Sequence, residues 1–222
     1  YCILLFLFLT WISTIFVKKT KDILKKDATS LLSTVLKPAV LGILLSCFLM
    51  QLSHGPFYAF FAIYLSENNY STNLIGIIWS LGVIAEILIF MKISSWIPKY
   101  GLQNLFIISF AFAFARWLLI SFFVDNIIIV IIATLFHAVT YGMYHAVSIS
   151  LIHEHFTGEL QGRGQALYSS ISFGLGGSIG SFYSGYFWEL SGGSAVYLYA
   201  SFFAFLGFIV SFILVKSNLK HI

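Results

Sequence analysis

Almost nothing ionisable interrupts the apolar stretches of this chain, and those stretches are long. Seven can be marked, at 1–17, 39–65, 73–93, 102–123, 127–150, 165–188 and 194–215. A helix needs roughly 20 apolar residues to cross the hydrocarbon of a bilayer. In lipid, where water cannot satisfy backbone N–H and C=O groups, only helices and closed barrels can span. The chain therefore reads as an all-α integral membrane protein. Its charge content agrees: 9% of its 222 residues are Asp, Glu, Lys or Arg, against roughly 25% in a soluble domain.

The connectors divide sharply by charge. Lys18, Lys19, Lys21, Lys25, Lys26 and Lys37 fall in the first, 18–38, Lys99 in 94–101 and Arg163 in 151–164. Lys92 stands at the end of its apolar segment, and Lys216 and Lys220 follow the last one. The alternate connectors 66–72, 124–126 and 189–193 contain no Lys or Arg, but hold Glu67, Asp125 and Glu189. Basic residues favour cytoplasmic loops, so the first connector and the C-terminus are expected on the cytoplasmic side.

The first connector is long and basic, whereas the others are short. Short connections make neighbouring helices antiparallel, so 39–215 is expected to form a compact six-helix bundle, with a tail at 216–222. The segment 1–17 then belongs with whatever precedes it. Tyr1 enters an apolar run at once, without the charged start and small-residue end of a signal peptide, which reads as a chain starting partway through a membrane helix. A long cytoplasmic connector between helix groups suits a two-halved transporter; a variable loop in a seven-helix protein is the plainer alternative. The lysines gather in a loop rather than on a folded basic face, so nucleic acid is not an expected partner. Cys2 and Cys47 supply neither a disulfide framework nor a metal spacing.

Polar groups inside spans are costly and mark substrate or proton paths. Of twelve Lys and Arg residues, only Arg116 lies inside an apolar segment. Its planar fork suits a carboxylate, either Glu86 or an anionic substrate group; the plainer reading is snorkelling to the outer headgroups. Glu86 lies roughly 20 Å in from the outer end of its helix at 1.5 Å per residue, where it suits a proton carrier or a silent protonated packing residue. Trp79 and Gly82 share its face. Gln51, His54 and Tyr58 recur at i, i+3 and i+7, with Gly55 and Pro56 at an expected kink. His137, Tyr141 and Tyr144 form a stripe, with His145 about 80° around the axis at 100° per residue. Histidine titrates near neutrality, so His137 and His145 are candidate relays or plain hydrogen-bonding ties. Small residues four apart (Ser170/Gly174, Gly176/Gly180, Gly177/Ser181, Ser181/Gly185) are expected to let helices approach closely. His153-Glu154-His155 lacks the i, i+4 spacing of a helical zinc site and reads as a solvated loop, so no metal or other cofactor is expected.

Several runs resemble the C-terminal half of phenylpropionate-permease-type transporters, members of the major facilitator superfamily and relatives of the lactose permease. They are Ser53-His54-Gly55-Pro56-Phe57-Tyr58-Ala59-Phe60-Phe61, Leu81-Gly82-Val83-Ile84-Ala85-Glu86 and Ala115-Arg116-Trp117-Leu118. To these are added Phe136-His137-Ala138, Gly142-Met143-Tyr144-His145-Ala146 and, most specific, the run from Leu160-Gln161-Gly162-Arg163 to Ser169-Ser170. The resemblance implies a twelve-helix proton symporter of a bacterial inner membrane, with this chain as the end of its sixth helix (1–17) and helices seven to twelve. In such relatives a Glu, an Arg and a His on helices eight, nine and ten surround the proton and substrate path; Glu86, Arg116 and His137 fall on those helices. The relatives carry a second Glu one turn after the His, where this chain has Thr140. The loop signature between helices eight and nine is reduced to Pro98-Lys99-Tyr100-Gly101.

The expected function is alternating-access symport of a proton with a small organic solute, an aromatic acid or a sugar- or nucleoside-like compound. His54, Tyr58, Trp79, Glu86, Arg116, His137, Tyr141 and His145 would form the pathway, and Gly174, Gly177, Gly180 and Ser181 the sliding helix contact. That small-residue contact is first a helix-packing motif, with sliding a secondary reading. The protein's partners would be the solute, protons, the bilayer and the N-terminal half of the same transporter. An intramembrane metal- or histidine-dependent enzyme and a non-transporting sensor or subunit are the rival classes.

Overall fold

A computed structural model of the chain describes residues 30–215, together with Phe8, Ile12 and Ser13. Apart from those three residues, the segment expected over 1–17, the lysine-rich part of the first connector and the tail at 216–222 lie outside the described residues. Among the described residues all regular structure is helical. A one-turn helix α1, Leu31–Val35, closes the first connector, its N-terminus capped by Ser30, whose hydroxyl accepts from Ser33 N at 3.1 Å. Then come α2 (Pro38–Glu67), α3 (Thr72–Tyr100) and α4 (Leu102–Phe123). Pro38 opens α2, where a missing N–H costs nothing; Ser71 caps α3; Asn126 caps the next span through its side-chain oxygen.

The fourth span is composite: α5 (Ile127–Leu135), a π-helical segment Ala138–Met143, and α6 (Tyr144–His155). The rest of the chain comprises a 3₁₀ turn at Gly158–Leu160, α7 (Gln161–Ser169), a second π segment Ser170–Gly176, α8 (Gly177–Val210) and a third π segment Ser211–Val215. The apolar run Gly158–Val215 has 58 residues. Straight, it would be ~87 Å long, nearly three hydrocarbon thicknesses of ~30 Å. It folds back instead at Gly192, whose φ of 77° and ψ of 167° are non-helical. Ring pairs Tyr183–Phe203 at 5.3 Å and Phe187–Tyr199 at 5.4 Å join its arms as an antiparallel hairpin. Residues 38–215 thus hold six spans.

Two connectors differ from expectation. Residues 94–100 continue α3 through Pro98, because Ile93, Trp96 and Ile97 pack against the core; Gly101, at φ 78°, makes the turn alone. Likewise Leu151 and Ile152 are fully buried and carry α6 on, so His153-Glu154-His155 is a last helical turn rather than a loop. Among the described residues no three His, Cys, Asp or Glu side chains converge as a metal set.

Helix α2 is the central post, with 83% of its apolar window buried inside the structure against 17% for α3. It passes uninterrupted through Pro56. Proline has no N–H, so the carbonyl of Leu52 loses its helical donor, and Gly180 packs on that spot: a Cβ there would lie 2.8 Å from Leu52 O and 3.1 Å from Gly55 Cα. Gly176 approaches α2 one turn earlier, where a Cβ would meet Phe48 O at 2.7 Å. The close helix crossing is therefore made by Gly55, Gly176 and Gly180. A Cβ on Gly177 would meet nothing within 4 Å, and one on Gly174 would meet only its own helix; they and the exposed Ser181 point away from α2.

The π segment of the fourth span changes the expected stripe. One extra residue in a turn sets everything beyond it back by about 100°. That more than cancels the 80° by which His145 would drift and leaves it about 20° from the line of His137. The rings of His137 and Tyr141 stack at 5.3 Å and 9°, and those of Tyr141 and His145 at 5.9 Å and 7°. All three stand in one column.

Candidate functional site

A cavity of about 630 Å³ opens between α2, α3, the fourth span and the start of α8. Its wall carries Gln51, Gly55 and Tyr58 from α2, Trp79, Val83 and Glu86 from α3, His137 and Tyr141 from the fourth span, and Phe173, Gly177, Ser178 and Ser181. Five of the expected pathway residues thus line one space. His54 and Arg116 stand behind it, both fully buried, and His145 stands to the side, its Nδ1 at 2.9 Å from the Tyr168 hydroxyl.

Small residues let the charged face form. A Cβ on Gly142 would lie 2.8 Å from Glu86 Cγ, and one on Gly82 would lie 3.1 Å from Thr134 Cγ2. The fourth span can therefore lie close against α3, and Glu86 Oε2 comes to 3.7 Å from His137 Nε2. On its other side His137 meets Arg116: Nη1 lies 3.1 Å from His137 Nδ1 and donates to Thr140 Oγ1 at 3.0 Å. Arg116 and Glu86 do not pair directly; His137 stands between them. The guanidinium carbon lies 4.1 Å from the centre of Phe57 and 4.3 Å from that of Trp117, contacts that favour a desolvated cation. Its Nε and Nη2 have no hydrogen-bond partner. Arg116 is thus an interior residue and does not snorkel.

His54 is tied differently. Its Nδ1 lies 2.9 Å from the Met50 carbonyl, while Nε2 is buried without a partner. Ser53 donates to the same carbonyl at 2.7 Å and accepts from Trp117 Nε1 at 3.2 Å, which fixes the tryptophan beneath Arg116. Phe57 and Trp117 do not stand out in a sequence that is 18% aromatic; only their adjacency to Tyr58 and Arg116 could have singled them out. Thr140 was visible as a departure from the family pattern, and in the fold it is the neutral acceptor that receives the arginine.

A model described as the MFS_1 like family matches residues 1–199. An Escherichia coli (strain K12) protein named "Probable 3-phenylpropionic acid transporter" is 27% identical over 144 residues, covering 65% of this chain and 38% of its own length. The Bacillus subtilis (strain 168) "Uncharacterized transporter YwbF" is 25% identical over 202 residues, 90% of this chain and 49% of that protein. The chain thus spans about half or less of the length of these curated relatives. The crystal structure of the nucleoside transporter NupG (D323A mutant) superposes with a TM-score of 0.72 at 13% identity, covering 91% of this chain and 57% of that one, a likeness of fold alone.

Proposed function

We propose, proceeding from the fact that this chain belongs to the MFS_1 like family, that it is the C-terminal six-span half of a secondary transporter for a small organic solute. The observation that carries this reading is the cavity: a space of about 630 Å³, within the size range of sites that hold small organic molecules, with aromatic walls and a carboxyl–imidazole pair at its edge. Tyr58, Trp79, Tyr141 and Phe173 would pack on the solute, and Gln51, Ser178 and Ser181 would offer hydrogen bonds. Glu86 and His137 would couple its passage to a proton, since a carboxyl in this apolar setting changes charge only at a cost that solute and neighbours can tip. The N-terminal half of the protein would close the cavity from the opposite side, and rocking of the halves would expose it alternately. The lysine distribution supports a cytoplasmic C-terminus, and the bacterial relatives support an inner-membrane location. The solute is an aromatic acid or a sugar- or nucleoside-like compound; the phenylpropionic acid relative favours the first.

The test is uptake by full-length protein in proteoliposomes under an imposed pH gradient, screening aromatic acids, sugars and nucleosides. Glu86→Gln is expected to abolish accumulation driven by the gradient while solute exchange at equal pH survives. Undiminished concentrative uptake by that variant would remove Glu86 from proton coupling.

A further inference from the structure

We infer that Arg116 is a positioning residue: it holds His137 in a single neutral tautomer and so leaves the exchangeable proton of the site to Glu86. This rests on the reading of the cavity as a proton-coupled path. A guanidinium only donates hydrogen bonds. With Nη1 3.1 Å from His137 Nδ1, that ring nitrogen must present its lone pair, and the ring's one proton sits on Nε2, facing Glu86 Oε2 at 3.7 Å. The two hydrogens of Nη1 are matched by two acceptors, His137 Nδ1 and Thr140 Oγ1 at 3.0 Å. Phe57 and Trp117 cover the guanidinium, so Nη1 cannot swing away without breaking the stack.

Protonating His137 in this arrangement would set an N–H against the Nη1 donor and a second cation against Arg116. The other titratable groups facing the ring do not offset that. From α2 come His54 and Tyr58, each 6.3 Å away by ring centres, and Tyr141 stacks from the next turn. The carboxylate is Glu86, from α3. Deprotonated, Glu86 can accept from Nε2–H after a shift of about 0.5–1 Å, which brings the pair into hydrogen-bond range. Protonated, it can accept from that N–H only through its neutral carbonyl oxygen, a weaker contact, and His137 stays as it was. A neutral threonine at 140 suits this division: a carboxylate there would compete with His137 for the same Nη1.

The experiment is ¹⁵N spectroscopy of histidine-labelled full-length protein, in which Nδ1–H, Nε2–H and doubly protonated rings give separate ring-nitrogen patterns. His137 in the wild type is expected as Nε2–H throughout about pH 5 to 8, the range in which an unperturbed histidine changes charge. Arg116→Met is expected to lose that single pattern, giving mixed tautomers or a ring that titrates in this range, whereas Arg116→Lys, which still donates, retains it. His54 is the internal standard for folding, because its Nδ1–H bond to the Met50 carbonyl does not involve Arg116. A wild-type His137 protonated on Nδ1 or doubly protonated would overturn the inference, and so would an unchanged Nε2–H pattern in Arg116→Met with His54 intact. If wild-type protein shows the pattern but no pH-driven uptake of any solute, the transport reading fails and the lock stands. The reverse result removes the lock alone.

Discussion

Replacing Gly180 by alanine tests how tightly α2 and α8 cross. The added Cβ would lie 2.8 Å from Leu52 O, 3.1 Å from Gly55 Cα and 3.2 Å from Gln51 O. All three are backbone atoms, so no side chain can turn aside. Ordinary contact begins near 3.4 Å, and the helices must part by about 0.6 Å along a line shared with Gly55 and Gly176. Overpacking of this kind costs about 1–3 kcal/mol. At about 2–4 °C of melting temperature per kcal/mol, Gly180→Ala should melt about 2–12 °C below a helix alanine that meets no such contact. Gly177→Ala is the matched control on the same helix, where the new methyl meets nothing within 4 Å. Relief of glycine's backbone entropy there is worth about 0.5–1 kcal/mol, so its melting temperature should be unchanged or slightly raised. Both are read by thermal unfolding of purified full-length protein in detergent. Equal melting of the two variants would refute the assignment of the crossing to Gly180.

Two further substitutions separate the site from the scaffold. Gly142→Ala places its methyl 2.8 Å from Glu86 Cγ but 3.7 Å from the nearest α3 backbone atom, so the carboxyl arm moves rather than the helix; melting should stay near wild type while pH-driven uptake falls. A melting loss as large as that of Gly180→Ala would show that the helices had moved instead. Gly192→Ala forces a side chain into φ 77°, ψ 167°, a region essentially reserved for glycine, at about 1–3 kcal/mol; melting temperature measures it, and wild-type stability would mean that the turn has another conformation open to it.

Much of the architecture was legible because bilayer length and the cost of charge leave few choices. The apolar runs located the spans, and the connectors 66–72 and 124–126 fall where α3 and the fourth span begin, at Thr72 and Ile127. The ends at Tyr100 and His155 were hidden by polar residues such as Ser94, Ser95, His153 and Glu154, interleaved with Ile93, Trp96, Leu151 and Ile152, which hold the backbone in the core. The meeting of Glu86, His137 and Arg116 could be anticipated from depth and from the family resemblance. Its order, with the histidine in the middle, could not. Helices apolar all round carry little azimuthal signal, so the sequence could not tell that Gly180 faces α2 while Gly177 faces the cavity, or that His54 and Arg116 stand behind the wall rather than in it.

The π segment at Ala138–Met143 has a consequence for how one helix can serve two neighbours. A uniform α-helix keeps a fixed phase, so the residues that suit one interface dictate which ones reach the next. Here the phase is reset midway. Before the step, Thr134 and His137 address α3 and α4; after it, Tyr144 reaches the Cys47 carbonyl of α2 and His145 the Tyr168 hydroxyl of α7. Rewinding this stretch as α-helix at its present length would swing the whole half beyond it by about 100°, detaching Tyr144 and His145 from both partners together, whereas losing one residue as it rewinds would leave that half in phase. The segment therefore behaves as an absorbed insertion: its wider winding, matched to its length, keeps the two halves of the helix addressed to different partners.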